Sequence, residues 1–161
     1  MSIPFNTEAI MAALFKIAQG VNTAKPGNPG ATPFNVMSRR WVHFNQVTPD
    51  MIPAFYQQQL AGRTIEGGVR GLPVHKMKVR WIVYLPGSQG PQDVVSPTIN
   101  KYYDALSQAL YSQSTSPRGI SVNTLGGLCA NCYEDGLGIN DEGLLTTPSL
   151  IVIPITILTA I

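Results

Sequence analysis

From Lys76 to Leu85 the chain alternates, with Met77, Val79, Trp81, Val83 and Leu85 on one side and Lys76, Lys78 and Arg80, then Ile82 and Tyr84, on the other. A period of two predicts a strand with one wholly apolar face and an opposite face that begins basic and ends apolar. Two other stretches repeat at helical spacing. Ile10, Leu14 and Ile17, with Met11, Phe15 and Ala18, form a stripe that Asn6 or Thr7 can cap, with Glu8 in the first turn and Gly20 at the end. Ser96 and Pro97 supply a cap and a proline at the first helical position, after which Ile99, Tyr103, Leu106 and Leu110 define an apolar stripe ending near Tyr111.

The remaining segments are read around these three. Phe34 to about Val47 is expected to be a strand, followed by a turn at Thr48-Pro49-Asp50. Ala54 to Leu60 fits a second strand, although its glutamines suit a short helix equally well. Leu128 to Ile139 is expected to be a strand and Asn140-Asp141-Glu142-Gly143 a turn. Ser149 to Thr159 is the last strand. Glycine and proline mark Gly20 to Pro33, Gly62 to Pro73 and Pro86 to Pro97 as long loops, and Ser112 to Asn123 is a polar one. The order helix, three strands, helix, two strands predicts an α+β domain with a mixed sheet of about five strands flanked by two main helices. At 161 residues the whole chain, 1–161, is expected to form a single domain.

The terminal strand raises the question of a partner. Leu150, Ile151, Val152, Ile153, Pro154 and Ile155 are almost entirely apolar, and Pro154 has no N–H for a ladder, which points to a sheet edge. These six residues are therefore the expected intersubunit edge. The apolar run from Leu150 to Ile161 is too short for a bilayer span of about 20 residues, so no membrane partner is expected.

Composition leans the same way. Charged residues make up 12% of the chain, about half of the roughly 25% usual for a globular domain. That pattern fits a surface partly occupied by neighbours. The net charge of +2 is too small to announce a nucleic-acid-binding domain. Two cysteines make no disulfide framework, and the first residues lack the basic flank and apolar run of a signal peptide, so a reducing cytoplasm is the expected setting.

Candidate chemistry is sparse. Cys129-Ala-Asn-Cys132 has a spacing used for zinc or redox work, but no second ligand pair exists and the motif falls in an expected strand, where residues three apart face opposite ways. The cysteines are read as partly buried thiols that pack as small hydrophobes, and no cofactor is expected. Glu134, Asp135, Asp141 and Glu142 lack any feature that would set one pKa against another, and Glu66 to Gly71 lacks the lysine of a phosphate loop. Basic residues gather at Arg39 and Arg40 and at Lys76, Lys78 and Arg80, with Arg63 and Arg70 between. Such a set can line a path for a polyanion without reading bases, or can pair with Glu134 and Asp135 on a neighbouring strand.

Several of these features occur together in one family. The N-terminal helix, Ser38-Arg39-Arg40-Trp41 with His43, Lys78 to Leu85, the Ser96-Pro97 helix, Thr124-Leu-Gly-Gly-Leu128 with Cys132, and Asp141-Glu142-Gly143 before Ile151 to Ile155 stand in an order and spacing that resembles the tail terminator, or tail-completion, proteins of long-tailed bacteriophages. The resemblance covers most of the chain and implies a non-enzymatic virion protein, assembled in the host cytoplasm. It implies a homo-oligomeric ring, hexameric in the family, that ends tail polymerisation. The implied partners are the tail tube protein, the head-tail connector or stopper, and DNA passing through the channel without sequence recognition. In that setting Arg39, Arg40, Lys76, Lys78 and Arg80 are the candidates for the channel or rim. A head-side connector or neck protein, a tube or baseplate component, a thiol-dependent redox protein and a module that binds a host factor are the alternatives.

Overall fold

The computed structural model describes residues 6–22, 34–67, 73–111, 122–143 and 147–160. Most of the expected loop at Gly20 to Pro33, Arg70 and most of the Ser112 to Asn123 loop lie outside them. Two helices, α1 (Thr7–Asn22) and α2 (Ser96–Tyr111), accompany six strands: β1 (Val36–Ser38), β2 (Ala54–Gly67), β3 (Pro73–Leu85), β4 (Asn131–Glu134), β5 (Ile139–Asp141) and β6 (Ser149–Ala160). The sheet runs β1-β2-β3-β6-β4, with β5 also paired to β6. Only β1 and β2 are parallel, so the sheet is mixed and the fold is α+β.

The apolar face of β3 forms as its alternation requires. Met77, Val79, Trp81, Val83 and Leu85 are buried, and register places Ile157, Ile155, Ile153 and Ile151 of β6 directly beside the first four. Both helices cover this face. From α1 come Ile10, Met11, Leu14, Ala18 and Val21, and from α2 Ile99, Tyr102, Ala105, Leu106 and Leu110. The cap of α1 is Asn6, whose side chain accepts from Ala9 N at 3.0 Å and satisfies a donor the first turn leaves orphaned. Phe34 stacks obliquely on Phe55 and on Tyr102, with centroids 5.5 and 5.4 Å away, and so ties sheet to helix.

Among the described residues, no α-helix covers the opposite face. At one end Ala54, Tyr56, Ile82 and Tyr84 are buried beneath Val36, Val42, Val47 and Met51. The expected strand over Phe34 to Val47 is thus largely a strap: only Val36–Ser38 pairs, and the chain then passes through two short 3-10 turns at Phe44–Gln46 and Pro49–Met51. The Tyr84 hydroxyl anchors it, donating to Val42 O and accepting from Trp41 Nε1, each at 3.2 Å. Asn35 Nδ2 holds the return at Ile52 O, 2.6 Å away.

Three further expectations are corrected. β2 does not stop at Leu60 but continues to Gly67, absorbing half of the expected Gly62 to Pro73 loop through a register shift between Gln59 and Arg63 at Gly62, whose φ is +95°. The expected Leu128 to Ile139 strand is broken into β4 and β5, and Asn140 and Asp141 belong to β5 rather than to a turn.

The largest correction concerns β6. It is not an edge: β3 flanks it along its whole length on one side, and β4 and β5 pair with it on the other. Leu150, Ile151, Val152, Ile153, Pro154 and Ile155 are therefore inside the sheet. Pro154 is tolerated because β4 ends opposite Ile155 and β5 begins opposite Val152, leaving a gap at its level. Its carbonyl accepts from Asp135 N at 3.0 Å on that side, so its missing donor also faces the interruption.

Candidate functional site

The structure divides the five basic candidates between two places. Lys76, Lys78 and Arg80 alternate with buried Met77 and Val79, so all three point from the helix-free face of β3. Lys76 is half-buried and meets Glu66 Oε1 at 3.5 Å, whereas Lys78 and Arg80 are exposed and form no ion pair among the described residues. Neither Glu134 nor Asp135 pairs with them. The Glu134 carboxylate takes hydrogen bonds from Ser107 and from Tyr103 Oη, and Asp135 Oδ2 accepts from Thr156 Oγ1 at 2.7 Å.

Arg39 lies with α1. Its guanidinium grips both oxygens of Glu8 at 2.5 and 3.0 Å. This hydrogen bond holds the Glu8 carboxyl below its ordinary range and raises the Arg39 pKa. The stabilising effect of a depressed carboxylate pKa is present above the unfolded value and fades as pH falls through the folded one. Arg39 is thus occupied, while its neighbour Arg40 is exposed.

Beside Arg40 the strap displays aromatic rings. Trp41 and Phe44 are 39% and 50% exposed, and His43 lies between them with ring centroids at 5.8 and 4.5 Å. The hydrogen bond to Tyr84 makes Trp41 a fixed surface feature.

The lateral edge opposite β1 and β2 has the reverse character. From Val122 onward the chain contains Glu134, Asp135, Asp141 and Glu142 and no Lys, Arg or His. Within this acidic edge Leu137 is 87% exposed and Ile139 45%. Gly136, at φ +107°, permits the sharp passage from β4 to β5, and Gly138 lies so close to the Tyr103 ring that any Cβ there would collide with it. Asp141 Oδ1 caps the following bend at Gly143 N, 2.9 Å away, and Glu142 takes the Ser96 hydroxyl at the start of α2.

The cysteines face inward. Cys129 and Cys132 are unpaired and buried, at 7% and 1% exposure. Burial pushes the Cys129 thiol up to about 11. The same effect, with a smaller contribution from Cys129, pushes Cys132 up as well. Both therefore remain protonated near neutral pH, which opposes nucleophilic attack and metal ligation. Reaction of the folded protein with an aromatic disulfide reagent at pH 8 is expected to be at least 100-fold slower than after denaturation. Two rapidly reacting thiols in the native state would contradict this environment.

No group of three or more His, Cys, Asp and Glu side chains suited to a metal occurs among the described residues. An open groove of about 290 Å³ beside the start of α2 is lined by Leu85, Val94, Val95 and Ile99, with Asp93 its charged member. No helix among the described residues is long and apolar enough to cross a membrane. No known protein family matches the chain, and no curated protein does.

Proposed function

We propose that this chain is a structural virion protein of the tail terminator kind. Copies of it form a ring, of six by the resemblance, on the end of a finished phage tail tube. The ring stops polymerisation, presents a docking surface to the connector or stopper, and leaves a channel through which DNA passes without being read. Support comes from the order of motifs along the chain and above all from the one-sided sheet. Helices cover one face, while the other displays Lys78 and Arg80, which form no ion pair among the described residues, beyond the strap. A sheet face left open in this way is available to a neighbour.

Native mass spectrometry and negative-stain images, of the protein alone and mixed with preformed tail tubes, test this reading. A closed particle of six times 17.4 kDa, or a single ring seated on tube ends, is the expected result. Indefinite tubes would favour a tube component. A protein that stays monomeric and ignores tube ends would overturn the proposal.

A further inference from the structure

We infer that the helix-free face of β3 is a contact between copies of this chain, and that its occupant is the acidic β4–β5 edge of the next copy. The inference rests on the assembly reading above and gives that reading a specific interface. The argument is complementarity. Lys78 and Arg80 stand exposed in the middle of the sheet, without carboxylate partners among the described residues. The β4–β5 edge presents exposed Asp141 and Glu142, which also accept from Gly143 N and the Ser96 hydroxyl, after the exposed apolar side chains of Leu137 and Ile139, and no cation occurs anywhere in the last 40 residues of the chain.

Each surface thus holds what the other lacks. Half-buried Val152 and Pro154 run between the two columns, so an arriving Leu137 meets apolar ground beside the cations. Repeated head to tail, with the cations of one copy on the acidic edge of the next, the contact is heterologous. A row of such contacts closes into a ring when the rotation between copies permits. Charges of opposite sign beside apolar side chains also disfavour registers that set cation on cation or carboxylate on carboxylate.

Charge exchange tests this. Lys78→Glu with Arg80→Glu is expected to weaken self-association about tenfold or more, and so is Asp141→Lys with Glu142→Lys. An equimolar mixture of the two variants is expected to recover the native mass, because each reversed surface then meets its reversed complement. Leu137→Asp, at a side chain with almost no contacts of its own, is expected to dissociate the assembly while circular dichroism and melting temperature stay at wild-type values. Reversed variants that keep the wild-type mass, or a mixture that fails to recover it while each component is folded, would overturn the inference. The readouts also separate it from the ring itself. A wild-type dimer that responds to the same exchanges keeps the contact and removes the ring. A ring indifferent to them, but unable to join tails after Lys78 and Arg80 are reversed, places those cations at the channel or rim instead.

Discussion

Replacing Ile153 with aspartate is expected to leave no folded protein, rather than a folded monomer that fails to assemble. Ile153 has 0% exposure, lies beside Trp81 on β3, and faces the helices. The substitution removes a fully buried aliphatic side chain, worth about 1.5–3 kcal/mol, and places a carboxylate with no cation within the core. Burial of an unpaired charge costs several kcal/mol more, and the sum approaches the roughly 5–15 kcal/mol that holds a domain together. Far-UV circular dichroism and urea unfolding would show the loss directly. Ile153→Val provides the graded version, with an expected destabilisation of about 0.5–1.5 kcal/mol. One position further along, Pro154→Ala is expected to change stability by less than about 1 kcal/mol, since the ladder already has a gap opposite it. A folded, monomeric Ile153→Asp variant would mean that this strand lies at a surface after all.

The second large effect belongs to Gln57. This side chain is buried at 2% exposure, donates through Nε2 to Met11 O at 2.8 Å, and accepts from Trp81 Nε1 at 3.1 Å. It therefore links β2, β3 and α1 through one amide inside an otherwise apolar layer. Gln57→Leu is expected to cost about 1–3 kcal/mol, because the indole N–H of Trp81 would remain buried without an acceptor. Trp81→Phe removes that donor and leaves the Gln57 oxygen unpaired instead. The double variant orphans neither group, so its loss should fall short of the sum of the two single losses by about 1 kcal/mol or more. Urea midpoints of the four proteins close the cycle. Strictly additive losses would show that the two side chains are not energetically coupled.

Gln57 also marks where local pattern stopped being informative. A run of Gln57, Gln58 and Gln59 reads as polar surface or as helix, and nothing nearby announces that its first member enters the core. That depends on Met11 and Trp81, which are 46 and 24 residues away. The far end of β2 was equally opaque. Glycines and exposed polar residues from Gly62 onward suit a loop, yet pairing with β3 carries the strand to Gly67 once Gly62 absorbs the register shift. The strap misled in the opposite direction. Its Trp41, Val42 and Phe44 have strand composition, but they cross over the buried Tyr84 and are held there by that tyrosine's hydroxyl.

The candidate surface was partly visible. The side of β3 on which Lys76, Lys78 and Arg80 lie follows from alternation alone, as does their distinction from the apolar face. Which of them is already paired does not follow: Glu66 reaches Lys76 across the hairpin, and Glu8 takes Arg39 from a helix 31 residues earlier. The cysteines pack as small hydrophobes, as expected, but more deeply than the expected partial burial and not by strand alternation: Cys129 precedes β4 and enters the same core cluster as Cys132.

The sequence by itself determined α1, β3 and α2, each through its own periodicity, and β6 through a continuous run rich in Ile and Val, and none of the four needs distant information. It also determined the α+β class. Only the tertiary structure decided where β6 lies. A proline in a strand signals a missing donor, and a sheet edge is the commonest place to hide one, but a break in the neighbouring strand serves as well. Here β4 and β5 leave that break opposite Pro154, so the most apolar strand occupies the inside of the sheet. Which residues line the helix-free face and the acidic edge likewise depends on pairings between residues far apart in the chain.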